Sequence, residues 1–257
     1  METGLDSKLR QMRKPPTSDK SGLGETPPLR RGVLKKLIGY LLVGVIPMLL
    51  LASLLVGFQP MALFLATIFY SLGSLLIILW FRKGFPNRNL GVGNLITLSR
   101  FVAVSALFSA IFVSVNPWII VFIAIPALVL DGFDGFYARK TGGVTDFGAR
   151  LDMEVDSALA IVLAVNIWAA GLASPLIILL ALPRYLFIAF SNLLPWLNRP
   201  LPDRYSRKVV SVIQVASLIG LNAPIFPSWF VLTVAFTVAA TLIWSFGKDV
   251  IWLRRAR

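Results

Sequence analysis

The sequence predicts an all-α integral membrane protein of about eight transmembrane helices, and three observations carry that expectation. Of 257 residues, 57% are hydrophobic and 14% charged, well above the apolar share of a water-soluble domain. From Leu37 onward, apolar segments long enough to cross a bilayer recur to the end of the chain. The formal charge of +13 is crowded into alternate connections rather than spread over a surface, a distribution that points to a membrane and not to nucleic acid.

The elements follow in order. Residues 1–36 mix Lys, Arg, Ser, Thr, Pro and Gly with almost no apolar run, so they read as a disordered basic tail. Its basic group Arg30, Arg31, Lys35 and Lys36 abuts the first span as a topology anchor and would meet anionic lipid headgroups. Spans are expected near 37–58 and 60–81, then 94–116, 118–138, 151–171, 175–197, 208–226 and 228–253. The connections around Gln59, Pro117, Gly171 and Pro224–Pro227 are short and uncharged. Those at 82–93, 139–150 and 198–208 hold, with the two termini, nearly all of the Lys and Arg. The positive-inside rule then places both termini and the three basic connections in the cytoplasm of an inner or plasma membrane. Trp80, Trp118, Trp196 and Trp229 fall near span ends, as interface anchors do. Pro47, Pro126 and Pro183 lie inside spans and predict kinks absorbed by packing.

Composition excludes several chemistries. With no cysteine there is no disulfide framework and no thiolate metal site; with no histidine there is neither an imidazole base nor His-ligated zinc. Any metal is held by oxygen. Six of the twelve acidic residues fall between Asp131 and Asp156, and ionisable groups within spans are costly unless they face partners, ions or water. Asp131, Asp134, Gly135 and Ala138 follow i, i+3, i+4, i+7 and share a helix face, as do Gly148, Asp152 and Asp156 at i, i+4, i+8. The short connection 140–147 makes those helices antiparallel neighbours and gathers four carboxylates at one depth. Mutual repulsion there is relieved by hard divalent cations, Mg²⁺, Mn²⁺ or Ca²⁺, and paired cations suit phosphoryl-type transfer. Arg139 and Lys140 stand beside the cluster as phosphate-contacting cations would. A plainer alternative is interhelical ion pairing, with Arg100, Arg139 or Arg150 neutralising the acids. A different class is a cation transporter or channel that uses the same acids. Its acids would be spread along a path rather than gathered at one side.

The run Asp131-x₂-Asp134-Gly135-x₂-Ala138-Arg139-x₈-Gly148-x₃-Asp152-x₃-Asp156 resembles the signature of the CDP-alcohol phosphatidyltransferases at every fixed position. Asn94-x₂-Thr97-x₂-Arg100 resembles the opening motif on the preceding helix. The resemblance covers about 90–250 and implies a six-helix catalytic core (90–253) preceded by two extra helices (37–81). It further implies metal-dependent transfer of a phosphatidyl group from CDP-diacylglycerol to an alcohol, with release of CMP, in phospholipid biosynthesis. The active site would lie in the cytoplasmic leaflet. By motif position, Asp131, Asp134, Asp152 and Asp156 would hold two Mg²⁺ or Mn²⁺ ions, and Asp156 would also act as base. Asn94, Thr97, Arg100, Gly135, Ala138, Arg139 and Gly148 would line the CDP and phosphate pocket. A homodimer is implied by analogy with the family alone.

The acceptor side matches only in part. Lys208-x₂-Ser211-x₂-Gln214 resembles a stretch of glycerophosphate-using members, but Arg207 replaces its Gly and Val210 its second Lys. Arg184 sits where those members carry Arg-Glu, with Tyr185 in place of the Glu, and Ser157 replaces the Lys that follows their last motif aspartate. Arg184, Arg204, Arg207, Lys208 and Ser211 are the acceptor candidates. They suit a phosphorylated polyol such as glycerol 3-phosphate. The basic ones serve equally as cytoplasmic topology determinants, and the inverse pairing, a small CDP-alcohol with diacylglycerol, stays open.

Overall fold

A computed structural model of the chain describes residues 31–84, 90–141, 146–198 and 205–255. The expected tail up to residue 30 and Arg204 lie outside the described residues, as do the side chains at 133–141. Every regular element among the described residues is helical. The α-helices are α1 (Arg31–Val56), α2 (Pro60–Gly84), α3 (Val92–Ser109), α4 (Pro117–Thr141), α5 (Asp146–Ala169), α6 (Pro183–Leu193), α7 (Tyr205–Leu221) and α8 (Ser228–Arg255).

Local chemistry sets the turns. Gly57, at φ +64°, lets the chain reverse between α1 and α2, and Pro60 opens α2 where a missing N–H costs nothing. At the end of α5, Gly171 takes φ +70°; its N–H bonds the Trp168 carbonyl (2.9 Å) and the Leu172 N–H reaches the Ile167 carbonyl (3.1 Å). This Schellman closure satisfies carbonyls that the helix end would otherwise leave orphaned. Pro47 and Pro126 sit within continuous helices.

The expected single span at 175–197 is instead broken. A 3₁₀ segment, Pro175–Ala181, meets α6 at 67°, and a second 3₁₀ turn, Pro195–Asn198, follows. The reason is proline at each junction: Pro183 has no N–H to continue the ladder and so begins a helix rather than kinking one. Among the described residues, four helices are long and apolar enough to cross a membrane alone: α1, α2, α3 with its 3₁₀ extension to Phe112, and α8. The bent pair would make a fifth. The expected eight spans are therefore not all met on length and apolarity. The acids Asp131 and Asp134 interrupt the apolar character of α4, α5 begins with a charged stretch, and α7 has 17 residues. The membrane-protein reading holds on the remaining spans and on the apolar surface the helices expose.

Helix α3 is the hub. It packs on α1, α2, α4 and α5, and its apolar window is 61% buried against 22% for α1, α2 and α8. Small residues let the N-terminal pair approach it. A Cβ at Gly73 would collide with the Phe101 ring, and one at Gly44 with the Tyr70 hydroxyl. Tyr70 stacks on Phe101 (5.0 Å between ring centres) and donates its hydroxyl to the Leu41 carbonyl (2.8 Å). Farther along, the buried amides of Asn166 and Asn222 donate to the Leu107 and Leu163 carbonyls of neighbouring helices (3.3 Å each). The first two helices are thus docked on the very helix that carries Arg100.

Candidate active site

Three helices converge on one point. Arg100, on α3, donates from Nη1 to Oδ1 of Asp131 on α4 (2.8 Å) and of Asp152 on α5 (2.6 Å). Its Nη2 donates to Oδ1 of Asp156, one turn further along α5. Ligand oxygens of the three aspartates lie within 4.8 Å of one another. The i, i+4 spacing puts Asp152 and Asp156 on one face of α5, and α4 and α5 each pack on α3, which brings their aspartates to Arg100. Exposure differs sharply across it. Arg100 is 1% exposed, while Asp131, Asp152 and Asp156 are 23%, 34% and 36% exposed. The guanidinium forms a floor, and the carboxylates form a rim that solvent reaches.

The donor chemistry fits a hard divalent cation. All the candidate ligand atoms are carboxylate oxygens, the ligand type that hard divalent cations take, and they lie within 4.8 Å of one another. Three carboxylates against one guanidinium leave a formal −2 among the described residues. Asp134, Gly135, Ala138 and Arg139 share helix α4 with Asp131, but their side chains lie outside the described residues. Asn94 and Thr97 precede Arg100 on α3 and are buried, the Thr97 hydroxyl donating to the Gly93 carbonyl (3.2 Å). Gly148 lies half-buried in the first turn of α5. Arg150, weighed as a neutralising cation, lies instead over the Trp80 ring of α2 at 5.3 Å.

Two of the expected acceptor residues, Arg184 and Arg207, are ion-paired within the protein. Arg184, second residue of α6, pairs with Glu154 of α5, and the Tyr185 hydroxyl donates to the same carboxylate (3.1 Å). Arg207 on α7 faces the buried Asp249 of α8, Nε to Oδ2 3.7 Å. Lys208 is exposed, and the Ser211 hydroxyl bonds the Arg207 carbonyl of its own helix (3.1 Å). Gln214 ties α7 to the bend through the Leu180 carbonyl (2.7 Å). Sequence reasoning missed Glu154 and Asp249. Asp249 carried a usable signal, as the single acid, beside Lys248, within the expected final span. A cavity of about 420 Å³ opens between the C-terminal ends of α3 and α5 and the start of α4, and shares no residue with the carboxylate cluster.

The family model for CDP-alcohol phosphatidyltransferase matches residues 90–244, more than half of the chain. The chain belongs to the CDP-alcohol phosphatidyltransferase family. Comparison with curated proteins and with solved structures finds no match. As a CDP-alcohol phosphatidyltransferase the protein is a phosphotransferase that uses a CDP-linked donor and an alcohol acceptor. The family's need for divalent metal agrees with the oxygen cluster. The match begins just before α3 and excludes α1 and α2.

Proposed function

We propose that this CDP-alcohol phosphatidyltransferase moves the phosphatidyl group of CDP-diacylglycerol to a phosphorylated polyol of the glycerol 3-phosphate type, releasing CMP, in phospholipid biosynthesis. The observation that carries the reading is the convergence of Asp131, Asp152 and Asp156 from two helices around one point. Asp134, one turn from Asp131 on α4, would complete the set. Two Mg²⁺ or Mn²⁺ ions held there would draw charge off the pyrophosphate oxygens and favour attack.

The chain's own groups do the rest. Asp156, the most exposed of the three carboxylates, accepts the proton of the acceptor hydroxyl as its oxygen bonds the lipid-side phosphorus. The bond from that phosphorus to the CMP oxygen breaks, and CMP leaves with the electron pair. Asn94, Thr97, Gly135, Ala138, Arg139 and Gly148 would form the donor side, and Arg184, Arg204, Arg207, Lys208 and Ser211 the acceptor side. The basic connections support cytoplasmic termini and a site in the cytoplasmic leaflet. The family match supports an enzyme over an ion pathway.

The test is CMP release by the purified protein in mixed micelles containing CDP-diacylglycerol and Mn²⁺ or Mg²⁺. Glycerol 3-phosphate, inositol phosphate, inositol, serine and simple alcohols are compared as acceptors. Release that depends on a phosphorylated polyol is expected; release with only an unphosphorylated alcohol would reassign the acceptor. Silence with all of them, together with no binding of CDP-diacylglycerol, would sink the transferase reading.

A further inference from the structure

The phosphate role expected of Arg100 does not account for where its side chain lies. At 1% exposure it ranks among the most completely buried side chains described, and both terminal nitrogens are committed to aspartates. We propose that Arg100 is a positioning residue for the metal, a buried planar fork that sets Asp131, Asp152 and Asp156 in a ligating array. The proposal rests on the metal-dependent reading above.

Three carboxylates whose ligand oxygens come within 4.8 Å repel one another strongly at low dielectric. Left alone they would splay apart or take up protons. A guanidinium offers donors in fixed directions within one plane, which a flexible ammonium does not. Each of the three ion pairs uses Oδ1, so the fork requires one oxygen of each carboxylate. It approaches from the buried side, whereas the carboxylates meet solvent on the other. A cation arriving from the open side therefore finds a preassembled rim with a formal −2, and need not displace the arginine. Carboxylate ligands held by outer hydrogen bonds are the usual way proteins tune a metal site.

The fork is itself anchored. Phe101, the next residue on α3, is stacked on Tyr70 of α2, whose hydroxyl is bonded to Leu41 of α1. The two helices outside the family match thus brace the helix turn that holds the fork.

The contrary possibility is that Arg100 competes with the cation for the same oxygens, and the two make opposite predictions. Removing a positive charge beside a cation site should tighten binding by electrostatics alone, so weakened binding must come from lost geometry. The experiment is titration of the full-length protein in detergent with Mn²⁺ alone, followed by calorimetry or by the Mn²⁺ paramagnetic resonance signal. Arg100→Gln should raise the Mn²⁺ Kd about 10- to 100-fold at unchanged stoichiometry. Arg100→Lys, which keeps the charge without the fork, should also weaken binding, and it keeps the test open if the Gln variant does not fold. Tighter binding in either variant would establish competition and overturn the proposal. A fall in stoichiometry with an unchanged Kd would show a purely structural role and overturn it too. Wild-type protein that binds no Mn²⁺ would remove the metal reading and this inference together, whereas normal wild-type binding with an unchanged variant Kd removes the inference alone.

Discussion

Arg184 is ion-paired with Glu154, a residue that stands midway between Asp152 and Asp156 on α5 but points to a different face of the helix. One helix therefore serves two purposes. Its Asp face closes the carboxylate cluster, and its Glu face holds the first turn of α6, where the 67° bend delivers Arg184 and Tyr185. Family members that carry Arg-Glu at this point have the carboxylate next to the arginine. Here the neighbouring position is Tyr185, and the carboxylate comes from the adjacent helix.

Arg184 pairs with Glu154 through Nη2 alone, and its side chain remains 26% exposed. An arginine so placed has a further edge to offer an anionic acceptor. Arg184→Ala should raise the acceptor KM about 10-fold or more, as loss of a charge-assisted hydrogen bond of ~1.5–3 kcal/mol implies. The KM for CDP-diacylglycerol should hardly move. Equal changes in both constants, measured by initial rates of CMP release, would take Arg184 off the acceptor side.

Asp156→Asn keeps the shape of the carboxylate and removes its capacity to take a proton. Turnover should fall about 10²- to 10⁴-fold, the usual worth of a positioned base. Binding of CDP-diacylglycerol should be largely kept, because Asp131 and Asp152 still face the cluster. Near-normal turnover in this variant would assign the base elsewhere.

The acid cluster was legible in the sequence because helical periodicity alone decides which residues share a face, and Asp131, Asp152 and Asp156 do meet. Arg100 was legible as a motif residue but not as a floor, since its partners lie 31, 52 and 56 positions away and depend on how three helices cross. The ion-pairing alternative had named it, and the structure puts it there. Where a kink was expected at Pro183, the helix breaks with a 67° bend. Hydropathy sees a mostly apolar run from Pro175 to Leu197, whereas the backbone responds to three prolines that each remove a donor. Glu154 was passed over because it stands off the helix face that Asp152 and Asp156 share.

Gly73 offers a test of the brace between the N-terminal helices and the site. A Cβ there would meet the Phe101 ring, so Gly73→Val must push α2 from α3 or turn the ring out of its stack with Tyr70. Overpacking of this kind costs about 1–3 kcal/mol, read as a lower Tm in detergent. If α1 and α2 brace the site, Mn²⁺ affinity falls as well. A normal Tm would show that α2 docks loosely and leaves Arg100 to hold itself.

Chelation should act on stability as well as on rate. A cation that binds only the folded cluster stabilises it by ~2.7 kcal/mol at a hundred times its Kd. Treatment with EDTA should therefore stop CMP release and lower Tm, and Mn²⁺ or Mg²⁺ should restore both. In Asp152→Asn, which removes the charge of one rim ligand, the Mn²⁺-dependent rise in Tm should shrink or vanish. A full rise in that variant would place the stabilising cation away from the cluster.

The basic connections predict which ends face the cytoplasm, and the absence of cysteine makes that prediction simple to measure. Ser206 lies exposed in the first turn of α7, next to Arg207 and Lys208, and Ser228 lies exposed at the start of α8, beyond an uncharged turn. If the positive-inside rule governs this chain, the two ends face opposite sides of the membrane. In intact cells, a membrane-impermeant maleimide should label Ser228→Cys and spare Ser206→Cys; in inside-out vesicles the pattern should reverse. Asp131, Asp152 and Asp156 lie in the halves of α4 and α5 nearer the basic connection between those helices. The same labelling therefore locates the site: reaction at Ser206→Cys in intact cells would move the carboxylate cluster to the outer face.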